Sequence, residues 1–188
     1  ATQLAFVAVD AHGTPDFEFH VHDPAHENIT VDDLNKELIG NALVFHFGSL
    51  TLRDEPAATA TMAAARWASE AGVLVSYDPN YRKNLWPDEE EAAERVVEPS
   101  CLRDDAMEVV DVVKISEEEL ELLTGTTDPW HGLRALIELG PELASVTMGE
   151  KGCAFATTEL FGEVDGVNVD VVDTTGCGDA FVAATLTQ

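Results

Sequence analysis

The residues best suited to chemistry lie near the end of the chain, in Asp173-Thr174-Thr175-Gly176-Cys177-Gly178-Asp179-Ala180-Phe181. An apolar run, Val167 to Val172, leads in and an apolar small-residue stretch follows, so the motif reads as strand, turn and helix start. Glycines at 176 and 178 let the backbone come close to a ligand, and free N–H groups at a helix N-terminus point at an anion. Asp179 falls in the first helical turn, where a carboxylate is a poor neighbour for phosphate unless it acts as a base on a substrate hydroxyl. An anion hole beside a general base is the equipment of phosphoryl transfer. The residues alone leave a second reading open: a Gly-rich turn with Asp179 placed favourably on the helix dipole. Cys177 fills space there, or carries a thiol made reactive by the helix N-terminus.

Four further groups have spacing that matters. Ser116 and Glu119 form Ser-x-x-Glu ahead of a helical pattern, which is a capping box and also places a carboxylate close to a strand end. Thr147, Gly149 and Gly152 form Thr-x-Gly-x-x-Gly, which any connection between two strands could use. Asn80 and Arg82 follow an apolar strand pattern, where open α/β sheets bind ligands, and Arg82 offers a planar fork for oxygen atoms. Asp78 is assigned to the turn itself, and Trp86 to packing. Lys114 ends another strand pattern and suits either a phosphate contact or a salt bridge. Cys101, Cys153 and Cys177 share no metal-ligand spacing, and their odd number argues for reduced thiols rather than a disulfide framework. The histidines form no metal motif either.

The elements that must position these groups follow from hydrophobic periodicity. Leu4 to Val9 and Phe17 to Val21 read as a hairpin about the turn Ala11 to Pro15, and Thr30 is a candidate N-cap. From there strands alternate with helices. Strands are expected over Ala42–Phe47, Val73–Tyr77, Val109–Ile115 and Ala144–Met148, and helices over Glu55–Ala71, Glu89–Val97, Glu117–Leu123 and Pro129–Leu139. The last segments expected are strands over Cys153–Thr157 and Val167–Val172, then the helix after Gly178. Such alternation implies βαβ units and a mostly parallel sheet.

The motifs in their order resemble the PfkB (ribokinase-like) carbohydrate kinases, and the fructokinase branch in particular. The segments that match are His46 to Leu50, Ser76 to Arg82 with Leu85-Trp86-Pro87, Val112 to Leu120, Val146 to Gly152 and Val172 to Phe181. The resemblance implies a three-layer α/β/α fold over residues 1–188, with residues 1–24 as strands of a small β lid and residues 40–188 as the core carrying the nucleotide site. It implies that ATP, with Mg²⁺, phosphorylates a sugar, most simply fructose to fructose 6-phosphate. Asp179 would be the base, and Gly176, Cys177 and Gly178 the anion hole, although the family usually has Ala where Cys177 stands. Lys114, Ser116, Thr147, Gly149 and Gly152 would contact ATP, and Asn80 and Arg82 phosphate or sugar. Glu119 would act on Mg²⁺ through water; Ser116 stands where the family more often has Asn. Relatives carry a sugar-recognising Asp and a Gly/Asn-rich loop ahead of the position of Ala1, and adenine-pocket helices beyond that of Gln188. The expectation is therefore a chain truncated at both ends. A 2-keto-3-deoxygluconate kinase and a non-catalytic nucleotide-binding product are the alternatives, and the lid would build a homodimer contact.

Composition narrows the partners. Asp and Glu number 36 against 10 Lys and Arg, a formal charge of −26, while 45% of residues are apolar. The chain can bury a core, but a basic face for nucleic acid or an anionic membrane is not expected. No run approaches the roughly 20 apolar residues of a membrane span, and no basic leader precedes an apolar run. Scattered acids of this density suggest a cytoplasmic protein of a salt-rich cell, since at molar salt the Debye length falls to about 3 Å and self-repulsion is screened. The melting temperature should therefore rise between low and molar KCl in a circular-dichroism melt. A curve indifferent to KCl would remove that reading.

Overall fold

The computed structural model describes residues 2–9, 15–20, 24–82 and 107–187. The expected helix over Glu89–Val97, Trp86 and Cys101 lie outside these described residues. The chain opens with an antiparallel hairpin, β1 (Leu4–Val9) and β2 (Pro15–His20), in the register Leu4 to His20. Thr30 stands at the head of a short 3₁₀ turn, where its N–H and hydroxyl both donate to Asp33 at 2.9 and 2.8 Å. Thr30 is the N-cap of that turn, as expected, and Asn35 caps the short helix α1 (Lys36–Gly40) that follows, accepting from the Leu38 amide.

A six-stranded sheet follows: β3 (Val44–Phe47), β4 (Leu74–Tyr77), β5 (Val112–Ser116), β6 (Leu143–Thr147), β7 (Cys153–Ala156) and β8 (Phe161–Val164), side by side in chain order. The first four strands run parallel, and β7 and β8 turn back antiparallel. The helices are α2 (Ala57–Glu70), α3 (Glu117–Thr124), α4 (Pro129–Glu138) and α5 (Cys177–Leu186). Alanine dominates α2 and favours helix while letting it lie close to the sheet. Asp128 caps α4, accepting from the His131 amide at 3.0 Å, and Pro129 occupies the first helical turn, where its missing N–H costs nothing.

Register gives the sheet two unlike faces. Phe47, Tyr77, Val113, Ala144 and Ala156 align across five strands, with Ile115, Val146 and Ala154 on the same side. These residues are buried with Met62 and Ala65 of α2, Leu120 of α3, and Leu133 and Leu136 of α4. The opposite face carries His46, Ser76, Lys114, Ser145, Ser116 and Thr147, which the same registers bring side by side. The first turn of α5 lies over this polar face, since a Cβ on Gly178 would sit 3.1 Å from the Lys114 ammonium. The result is helices, sheet and helix in three layers. Among the described residues no helix is long and apolar enough to cross a membrane.

The expected strand over Val167–Val172 is a correction. Residues 165–174 are irregular, with Val167 82% and Val172 84% exposed, and the strand ahead of them is β8, a segment the sequence pattern did not mark. Alternating valines specify a strand only when a neighbour can accept their hydrogen bonds, and none of the described strands pairs with this segment. The core makes its own test. Leu133 is fully buried, so Leu133→Ala should destabilise the fold by about 2–5 kcal/mol in urea unfolding, and a change within error would contradict this packing.

Candidate active site

Strands β3 to β6 end along one edge of the sheet, and the sequence-marked residues gather there. A cleft of about 550 Å³ is walled by Thr147, Gly149, Gly152, Cys177, Gly178 and Phe181, with Val164, Val167 and Val169 on its apolar side. Thr147 ends β6, and the turn after it closes when the Met148 amide donates to the Gly152 carbonyl at 2.8 Å. Gly152 has φ +97°, and a Cβ there would run into the Val164 carbonyl, so only glycine lets the turn lie against the end of β8. Gly176, at φ +79°, precedes α5 in the left-handed conformation.

The Gly-rich turn presents its amides unevenly. The Cys177 amide donates to the Thr174 carbonyl at 3.1 Å, and the Ala180 amide to the Gly176 carbonyl at 2.9 Å. The Gly178 and Asp179 amides lie between them and donate to no group among the described residues, as expected of a helix N-terminus. The Asp179 carboxylate is exposed, with Oδ2 4.0 Å from the Cβ position of Gly176. The Cys177 thiol is free and exposed, and Cys153 is free and half-buried, with burial raising its pKa.

A second cleft, of about 280 Å³, lies between the hairpin and the ends of β3 and β4, lined by Phe17, Phe19, Ser49, Arg53, Asn80 and Arg82 among others. The Arg82 guanidinium stands 5.0 Å from the centre of the Phe17 ring and donates to the Tyr81 carbonyl at 3.2 Å. Arg53 pairs with Asp54 at 2.6 Å and with Glu27. The hairpin therefore contributes aromatic walls to this cleft, a contribution for which its alternating pattern held no signal.

Two buried carboxylates lie beneath the clefts. Glu119 is 4% exposed, and both its oxygens accept backbone N–H groups: Oε1 from Tyr81 and Oε2 from Ser116, each at 2.6 Å. Ser116 Oγ accepts from the Glu119 amide at 3.2 Å, so the capping box is present. The carboxylate also ties down the backbone between Asn80 and Arg82, across 38 residues of sequence. Burial raises the Glu119 pKa, against the lowering pull of these hydrogen bonds and of Lys114. Asp78 Oδ1 accepts the Asn80 amide at 3.1 Å, holding the turn as the sequence suggested. Its Oδ2 takes the Lys114 ammonium at 3.1 Å, so Lys114 makes the salt bridge and does not line the larger cleft. Tyr77 is fully buried with its hydroxyl unpartnered, and burial beside Glu119 and Asp78 pushes its pKa up strongly.

A mostly parallel α/β sheet with clefts at the carboxyl ends of its strands, one against a Gly-rich helix start, is the arrangement in which open α/β folds bind ligands. Comparison gives the family. The model of the pfkB family carbohydrate kinases matches residues 1–188, and the chain belongs to that family. It is 42% identical over 189 residues to the probable chloroplastic fructokinase-6 of Arabidopsis thaliana, covering 100% of this chain and 47% of that protein. It is 44% identical over 188 residues to fructokinase-2 of Solanum lycopersicum, covering 100% and 55%. The chain thus spans about half the length of the curated relatives it matches. Among solved structures, fructokinase from Xylella fastidiosa with bound ATP superposes with a TM-score of 0.82 at 34% identity, covering 98% of this chain and 55% of that one. Fructokinase from Vibrio cholerae with fructose, ADP and calcium gives 0.79 at 35%, covering 97% and 57%. The fold is ribokinase-like, as the motif order implied.

Glu119 lends itself to a direct test. Glu119→Gln swaps one acceptor oxygen for a donor facing a backbone N–H, leaving that amide unpaired in a buried site. It should cost about 1–3 kcal/mol of stability at neutral pH, read by urea unfolding. An unchanged midpoint would show that the two N–H contacts do not hold the edge together.

Proposed function

We propose that the protein transfers the γ-phosphoryl group of ATP to a hydroxyl of a ketose, with fructose going to fructose 6-phosphate. The observation that carries this reading is the α5 N-terminus, where two unpaired amides and the Asp179 carboxylate share one turn at the mouth of the larger cleft. Family membership and the fructokinase relatives support the same reaction. Asp179 takes the proton from the sugar hydroxyl. The hydroxyl oxygen bonds to the γ-phosphorus as the bond to the bridging β–γ oxygen breaks, and ADP leaves. The Gly178 and Asp179 amides, with the Gly176–Cys177 backbone shaping the turn, face the charge carried by the transferring group. Thr147, Gly149 and Gly152 border the nucleotide, and the exposed valines of residues 167–171 give its base an apolar wall. Asn80 and Arg82 face the sugar or its phosphate from the smaller cleft. Ser116 serves this site as the cap that holds Glu119.

Magnesium fits this arrangement as a passenger on the nucleotide. Among the described residues no three His, Cys, Asp or Glu side chains are grouped to hold a metal. Glu119 uses both oxygens on backbone amides, which suits an ion carried by phosphate oxygens and water and felt by Glu119 at second hand. Bound there, the ion would offset phosphate charge. The hairpin exposes Phe6 and Leu4, each 58% accessible, which supports a lid contact between two copies. The acidic surface fits a salt-rich cytosol.

The test is a coupled ADP-release assay on the full-length protein with Mg·ATP in molar KCl, with fructose and 2-keto-3-deoxygluconate run in parallel. Asp179→Asn should lower fructose kcat by about 10²–10⁴. Near-normal turnover by that variant would remove Asp179 as the base. Turnover of the keto-acid alone would keep the mechanism and replace the sugar.

A further inference from the structure

Among the described residues, the polar face of the sheet buries the ion pair of Lys114 and Asp78. Lys114 and Asp78 side chains are 10% and 5% exposed, with Nζ and Oδ2 3.1 Å apart. Such a pair is weak evidence for stability, because an apolar pair of similar volume serves a core as well or better. The other face of this sheet is filled in that apolar way, by Val113, Ile115, Ala144 and Val146. The position of the charges is more informative. Asp78 Oδ1 also holds the Asn80 amide, so the anchor of the pair belongs to the turn that leads to Arg82. The ammonium lies 3.1 Å from where a Cβ on Gly178 would be, against the first turn of α5.

We propose that Lys114, held by Asp78, is a positioning residue: it sets the α5 N-terminus at a fixed height over the sheet and places its ammonium group beneath the anion hole. The inference rests on the phosphoryl-transfer reading above. A cation beneath the positive end of a helix is unfavourable while the hole is empty. That repulsion is relieved when a highly charged phosphoryl group arrives, so the pair favours the phosphoryl-loaded state over the empty one. Gly178 allows this spacing, since a Cβ there would meet the ammonium at 3.1 Å and press it back by a few tenths of an ångström. Asp78 is the only acceptor for the Lys114 ammonium among the described residues. The neighbouring Ser145 Oγ, aligned with Lys114 across the strands, is buried without a partner. Glu119 is a second buried carboxylate close enough to feel the ammonium, so Lys114 faces two acids at this edge as well as the start of α5.

The experiment uses the full-length protein and its Lys114→Met variant, which keeps an unbranched stem and loses the charge. Calorimetry in molar KCl measures ADP and a non-hydrolysable ATP analogue, alongside kcat and KM for the sugar. The expected result is a loss of analogue affinity of roughly ten-fold or more with ADP changed less than about two-fold, and a fall in kcat at nearly constant sugar KM. Equal losses for both nucleotides, or a lower melting temperature with affinities and kcat intact, would make the pair structural and overturn the proposal. If Lys114→Met does not fold, Lys114→Gln carries the same comparison, because it keeps an unbranched polar stem that Asp78 can bond and loses the charge. A wild-type protein that phosphorylates no sugar, with the analogue-selective loss still seen in the variant, would overturn the sugar assignment and keep the role of the pair. Binding of neither nucleotide by the wild type would overturn both.

Discussion

Phe47, Tyr77, Val113, Ala144 and Ala156 stand abreast across five strands, and alternate residues of a strand face opposite sides of the sheet. Burying that row under α2, α3 and α4 therefore commits His46, Ser76, Lys114 and Ser145 to the other side. A slip of one residue would exchange the two sets. The hydrophobic effect thus fixes the register, and the register delivers the polar side chains to the face on which α5 begins. The site is a consequence of where the oil went.

Once the strands are set, their carboxyl ends must be held at one edge, and two carboxylates do this. Glu119 accepts from the amides of Tyr81 and Ser116, joining the segment after β4 to the start of α3. Asp78 joins the same segment to Lys114 on β5. Both acids lie in low dielectric, where a satisfied hydrogen bond is stronger and an unsatisfied one more costly than in water. The edge that carries both clefts is accordingly braced by polar contacts, while the layer beneath is braced by packing. The two clefts meet different elements: α5 and the end of β8 for one, the hairpin and the end of β3 for the other. That division suits a reaction in which one partner is an anion and the other carries hydroxyls.

Much of this was legible in the order of residues. The capping box at Ser116 and Glu119, the turn at Gly176, and the alternation of β and α segments are local signals, and local backbone energetics enforces them. Two segments defeated the pattern. Val167 to Val172 alternates as a strand should, yet is irregular and exposed, because pairing depends on a neighbour that periodicity cannot supply. Phe161 to Val164 carried no mark in the pattern, yet pairs with β7 through the register Cys153 to Val164. Trp130 and Phe161, 31 positions apart in sequence, meet with ring centres 4.7 Å apart, a contact that appears only after α4 packs on the sheet edge.

The sequence by itself determined the family, the layered α/β architecture and the turn on which Asp179 sits, because spacing along the chain decides caps, turns and strand alternation. Only the tertiary structure decided that Lys114 is spent on Asp78, that Glu119 uses both oxygens on backbone amides, and that Phe17 and Phe19 line the cleft beside Arg82. The physical reason is distance in sequence. Apart from the local Ser116–Glu119 contact, each of these joins groups that are tens of residues apart, and which partner a charge takes depends on which strands become neighbours when the apolar face is buried.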